Sequence, residues 1–123
     1  MGAHSGDHVI YPDCRYDFFR DLFNVSKKGN WDSDNISLYM PYINMNKSDI
    51  LADSIKNINK LNLDFNEIYK NTITSYSPDK RGISSGKTGS DIERILAFNK
   101  LNLIDPIKYQ DTWDIVLKNA KNS

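Results

Sequence analysis

The stretch His4-Ser5-Gly6-Asp7-His8-Val9-Ile10-Tyr11-Pro12-Asp13-Cys14-Arg15 decides how the rest of the chain is read. It holds two imidazoles, two carboxylates, a phenol, a thiol and a guanidinium, parted into two clusters by short apolar residues and a proline. Titratable groups at this density are costly to bury and typify sites with coupled pKa values. Residues 8–11 read as a short strand or loop that Pro12 stops from continuing as an interior strand. Asp13 suits an N-cap, and residues 15–25 then place Phe18, Phe19, Leu22 and Phe23 on one face at helical spacing. Lys27, Lys28 and Gly29 close that helix, with cations at its negative pole and a permissive residue beyond.

Downstream, residues 30–35 read as loop and residues 36–43 as a short or edge strand limited by Pro41. A helix entered at Lys47-Ser48 carries Ile50, Leu51, Ile55, Ile58 and Leu61 as its apolar stripe. Asp64 caps a short helix through Lys70, and residues 72–89, without apolar periodicity, form a long loop of the kind that binds something or is disordered. Ser90 is expected to cap a helix bearing Ile92, Ile95, Leu96 and Phe98. Asp105-Pro106 breaks the chain, and a last helix from about Thr112 carries Trp113, Val116 and Leu117, fraying after Lys118.

The 123 residues suit one domain of modest core, with hydrophobic residues at 39% and charged ones at 26%. Sixteen basic side chains balance sixteen acidic ones with no basic block, which argues against nucleic-acid binding through phosphates. No apolar run approaches the roughly 20 residues that span a bilayer, and nothing reads as a signal peptide. The single Cys14 excludes an internal disulfide and fits a reducing compartment, so a cytoplasmic protein is expected.

The opening His4-Ser5-Gly6-Asp7-His8, followed by Tyr11-Pro12-Asp13-Cys14-Arg15, resembles the 7-cyano-7-deazaguanine synthase family of the queuosine pathway, within the ATP pyrophosphatases that bind pyrophosphate on a loop. Pro41 with Lys47-Ser48-Asp49-Ile50, then Glu93-Arg94, Ala97-Phe98, Asp105-Pro106-Ile107 and Tyr109 follow the family's order. The resemblance implies an α/β chain: the C-terminal part of a doubly wound adenine-nucleotide α-hydrolase-like domain, mostly helical with a few short strands. Residues 1–123 would be one partial synthase-like domain, with 72–89 replacing the family's zinc-binding segment. The family's Ser-Gly-Gly-x-Asp-Ser pyrophosphate loop has no counterpart here. ATP, with Mg, is therefore expected only if a partner polypeptide supplies that N-terminal half. The four zinc cysteines of the family fall on Ser75, Ser85, Thr88 and Asp91. Neutral hydroxyls are poor zinc ligands, so no zinc is expected, while Gly86 and Gly89 would keep the backbone turns.

His4, Asp7, His8, Tyr11, Asp13 and Arg15 are the candidate residues for substrate or nucleotide. His4, Asp7 and His8 are open to three readings: contact with a deazapurine substrate or nucleotide, three ligands to a metal, or a polar loop bonded to itself. Asp13 either meets a ligand or merely caps the helix. Arg15 sits badly for a helix dipole, which mildly favours a grip on a carboxylate or phosphate. Cys14 reads as a buried, inert thiol. Ser85-Gly86-Lys87-Thr88 lacks the leading glycine of a phosphate loop, because Arg81 stands there. The implied activity is ATP-dependent conversion of 7-carboxy-7-deazaguanine and ammonia to the nitrile, by a chain inactive alone. The alternative is a non-catalytic binding or assembly module. In either case the exposed apolar faces of a half-domain would drive oligomerisation or partner capture.

Overall fold

The computed structural model describes all of residues 1–123, which fall into two compact units, Met1–Asn46 and Lys47–Ser123. The structure is mostly helical: the one β feature is an isolated parallel bridge between Ser84 and Tyr109. The strand expected over residues 36–43 is absent. Residues 36–40 pair with no strand and residues 41–44 form a turn, because β-propensity makes a strand only where a neighbour completes the ladder.

In the first unit α1 spans Asp7–Ile10, Pro12–Cys14 makes a 3-10 turn, α2 spans Tyr16–Gly29 and a second 3-10 turn spans Ser33–Asn35. The segment expected to be strand or loop at residues 8–11 is thus largely a helical turn. The start of the chain is joined to the opposite end of the unit: Ser5 N–H donates to the Met45 carbonyl at 2.9 Å, and the terminal amine of Met1 to the Tyr39 carbonyl at 2.8 Å. Asp13 does not cap α2. The N-cap residue is Arg15, in extended conformation, and no side chain caps the helix. Of the apolar stripe on α2 only Phe19 is buried, while Phe18 and Leu22 are 46% and 51% exposed.

The second unit is built on α3 (Lys47–Lys60), α4 (Phe65–Tyr69), α5 (Gly89–Lys100) and α6 (Trp113–Lys121). Asp64 caps α4 as read, its Oδ1 accepting from Glu67 N–H at 2.8 Å. The cap of α5 is Thr88 rather than Ser90: Thr88 and Asp91 form a reciprocal capping box. The last helix also runs past Lys118 to Lys121, because Ala120 is buried in the core and holds that turn. Packing against α3 buries Leu51, Ala97 and Phe98, backed by Ile55, Phe65, Tyr69 and Trp113. Packing against α6 buries Ile95, Val116 and Ala120. Leu61 and Leu96, both placed on apolar stripes, face solvent.

α3 and α5 stop in the same way. Each runs into Lys-Leu-Asn-Leu, and Asn62 and Asn102 take φ of 54° and 56°. Leu63 N–H donates to the Ile58 carbonyl and Leu103 N–H to that of Phe98, at 3.1 and 3.0 Å. Both are Schellman closures with asparagine in the left-handed position, and the second directs Leu103 onto the core.

Candidate functional site

The opening motif folds onto itself. Asp7 Oδ2 accepts from the backbone N–H of His4 at 3.1 Å, and Asp7 Oδ1 lies 3.6 Å from His4 Nε2. His4 Nδ1 accepts from Gly6 N–H at 3.1 Å, which leaves the ring proton on Nε2, facing the carboxylate. His4 is buried to 9% exposure. On α1, the His8 carbonyl accepts from Arg15 Nε at 3.0 Å. His8 Nε2 is buried without a hydrogen-bond partner, a polar atom whose desolvation is uncompensated within the chain. The structure therefore brings together His4 with Asp7, and His8 with Arg15. Tyr11 joins through its backbone, its N–H donating to the Asp7 carbonyl at 2.8 Å, and its side chain is exposed. Asp13 is exposed, and its charge acts on the neighbouring Cys14 thiol. Burial, followed by the charges of Asp7 and Asp13, pushes the Cys14 thiol above its ordinary pKa, which disfavours the thiolate.

A second polar centre lies in the other unit, outside the residues that the opening motif marks. Arg94, on α5, sends Nε and Nη2 to the two carboxylate oxygens of Asp105, the latter at 2.9 Å, and Nη1 to Thr72 Oγ1 at 2.9 Å. Tyr109 donates its hydroxyl to Asp105 at 2.8 Å. The side chains of Arg94 and Asp105 are 4% and 0% exposed. Burial opposes the Arg94 charge, but the hydrogen bonds and charge of Asp105 outweigh it and raise the guanidinium's pKa further. Burial and Asp105 together push the Tyr109 phenol far above its usual value, so it remains a donor. The signal was available: Arg94 stands three residues after Asp91 and four before Phe98, on the buried face of α5. A cavity of about 600 Å³ opens beside this centre, lined by Lys70, Thr72, Ile83, Ser84, Ile107 and Lys108 among others. None of the opening-motif residues lines it.

Ser75, Ser85, Thr88 and Asp91, the positions that the resemblance sets against zinc cysteines, offer three hydroxyls and one carboxylate. Ser75, Thr88 and Asp91 converge, joined to one another and to backbone N–H groups through Ser75 Oγ, Thr88 Oγ1 and Asp91 Oδ2. No group of three or more His, Cys, Asp or Glu side chains is placed to hold a metal. This donor set does not fit tetrahedral zinc, which takes thiolate and imidazole ligands. Gly86 keeps its turn at φ 72°, whereas Gly89 is simply the first residue of α5.

Comparison with known proteins gives these residues a setting. The family profile described as queuosine biosynthesis protein QueC matches residues 1–102. The chain belongs to the QueC family. It is 43% identical over 109 residues to the 7-cyano-7-deazaguanine synthase 1 of Colwellia psychrerythraea, covering 89% of this chain and 44% of that protein. Its identity to the 7-cyano-7-deazaguanine synthase of Psychromonas ingrahamii is 41% over 111 residues, 90% of this chain and 45% of the relative. For the Rickettsia massiliae synthase it is 35% over 112 residues, 89% and 46%. The chain thus spans somewhat less than half the length of these curated QueC relatives. No solved structure matches it significantly. No helix is long and apolar enough to cross a membrane.

Proposed function

We propose that the chain is the C-terminal, substrate-side part of a 7-cyano-7-deazaguanine synthase, a doubly wound domain completed by a polypeptide that carries the pyrophosphate loop. On this reading residues 1–123 are one portion of that domain, 72–89 stand in the place of its zinc-binding segment, and the assembly works in the cytoplasm. The reaction would convert 7-carboxy-7-deazaguanine, ATP and ammonia to the nitrile. A carboxylate is a poor electrophile until adenylation gives its oxygen a leaving group, so the protein's task is to position the acid and neutralise charge. His4, held in one tautomer between Gly6 and Asp7, and His8, with its unpartnered Nε2, would orient substrate and move protons. Arg15, anchored through Nε, would present its terminal amino groups to an anion. Tyr11 and Asp13 would border the same surface.

The observation that carries this reading is the self-tethered His4–Asp7 and His8–Arg15 arrangement within a chain of the QueC family. The test is an assay with 7-carboxy-7-deazaguanine, ammonia and ATP with Mg. The chain is assayed alone and mixed with the complementary portion of the Colwellia psychrerythraea relative. Turnover is expected only in the mixture and should fall at least tenfold with Asp7→Asn or Arg15→Ala, about the cost of losing one charge-assisted hydrogen bond. Turnover by the chain alone would overturn the partnership. Failure of any complement to restore activity would favour a non-catalytic module.

A further inference from the structure

We infer that a hydrogen-bonded staple made by Ser75, Thr88 and Asp91 closes the 75–91 segment of this chain without metal. It occupies the ground that a zinc cage would hold if these positions were cysteines. Asp91 is 1% exposed. Its Oδ2 accepts from the hydroxyl of Ser75, sixteen residues earlier, at 3.3 Å, and from Thr88 N–H at 3.3 Å. Its own N–H donates to Thr88 Oγ1 at 3.3 Å. Thr88 Oγ1 also pairs with Ser90 Oγ at 3.1 Å. One carboxylate thus does two things at once: it completes the capping box that starts α5 and holds the loop at Ser75 against that start.

Position explains why a carboxylate, rather than a cation-filled oxygen cage, suits this place. Asp91 lies in the first turn of α5, where the helix dipole and unsatisfied N–H groups favour a negative charge and oppose an added cation. The Asp91 charge is balanced there by donors of its own chain, and a bound cation would compete with them. Its second oxygen, Oδ1, is buried with no partner. Asp91 is accordingly the residue whose loss exposes the staple most directly. Asn, which keeps an acceptor oxygen and places an amide at Oδ1, is the substitution that spares it. Closing a loop of this length by partly buried side chains has the same topological effect as a structural metal, because both restrict the chain between two distant points.

The test uses the full chain purified without added metal. Metal analysis should find far less than one zinc per chain, and the melting temperature should not move on adding a chelator. Asp91→Ala and Ser75→Ala should each lower the melting temperature by about 4–8 °C, the shift that a lost hydrogen bond of this class gives in a small unit. The double variant should lose little more than Asp91→Ala alone, and Asp91→Asn should retain most of the stability. If Asp91→Ala does not fold, Ser75→Ala against Ser75→Thr decides, because threonine keeps the donor. The combined variant Ser75→Cys, Ser85→Cys, Thr88→Cys, Asp91→Cys should bind about one zinc per chain and become chelator-sensitive, since Ser75, Thr88 and Asp91 already converge. A chelator-dependent melt of the natural chain, or an Asp91→Ala chain as stable as its parent, would overturn the staple. Because no readout is turnover, this result is independent of whether the chain catalyses.

Discussion

Replacing Asp105 by asparagine should be among the most damaging single changes this chain can take. Four donors meet that carboxylate: Nε and Nη2 of Arg94, the Tyr109 hydroxyl and Ile107 N–H. With both charged side chains excluded from solvent, neutralising Asp105 leaves a buried guanidinium without its counter-charge and sets an amide N–H against a donor. Breaking a buried pair from one side costs about 3–5 kcal/mol. Asparagine keeps one acceptor oxygen, so the lower end, about 3 kcal/mol, is expected. Urea unfolding followed by helical circular dichroism reads this directly. With a slope of about 1–3 kcal/mol per molar, the midpoint should fall by roughly 1–3 M with the slope unchanged. Replacing both partners by apolar residues, Arg94→Met with Asp105→Leu, should recover more than half of the loss, since no orphaned charge remains. A midpoint shift below about 0.3 M for Asp105→Asn, on an unchanged slope, would refute the view that this pair holds α5 to the 105–109 segment.

Tyr109→Phe removes one bond to the same carboxylate and should cost about 1.5–3 kcal/mol by the same unfolding assay. Gly86→Ala should destabilise by more than Gly82→Ala although both glycines have positive φ: a Cβ at Gly86 meets Val116 Cγ1 at 2.8 Å, while nothing lies near one at Gly82. About 1 kcal/mol at Gly82 and about 2–4 kcal/mol at Gly86 are expected, so equal melting temperatures would refute the packing argument. Cys14 should be alkylated by iodoacetamide more slowly at neutral pH than a free cysteine, with a pH profile shifted upward. Asp13→Asn should shift that profile back down, because the charge of Asp13 contributes to the raised pKa. The Ile83 N–H, assisted by Arg81, holds the Asp79 carboxylate below its ordinary pKa. Its contribution is therefore present above the ordinary carboxylate range and lost as pH falls through the folded value. An Asp79→Asn chain should lose less stability than its parent on acidification.

What the sequence made legible was whatever depends on neighbours along the chain. Helical periodicity found α3, α5 and α6, and Asp64 was a sufficient start signal for α4. The failures share a cause. Propensity alone favours a strand over residues 36–43, yet a strand exists only through a partner that sequence does not name. Asp13 and Ser90 were plausible caps, but capping depends on where the chain enters the helix. At α5 that entry is fixed by Thr88, whose reciprocal bonds with Asp91 outcompete a serine two residues on. The apolar period continues through Leu61, whereas Asn62 turns the backbone left-handed and swings the chain away.

The candidate site was legible in its composition and illegible in its bonding. Residue types at positions 4–15 pointed to a polar constellation, but nothing in their spacing said that Asp7 would turn back to His4 or that Arg15 would anchor on the His8 carbonyl. Asp91 makes the complementary case. Set beside a thiolate ligand it reads as a loss, one carboxylate among hydroxyls that cannot hold zinc. Set at the first turn of a helix, the same substitution supplies the negative charge that the turn favours and an acceptor that the Ser75 hydroxyl can reach. On the resemblance that sets Asp91 against a zinc cysteine, loss of a metal ligand and gain of a helix-stabilising acceptor are a single chemical change. Asp91→Cys alone should therefore lower the melting temperature rather than raise it, because one thiol neither caps α5 as well nor completes a zinc cage.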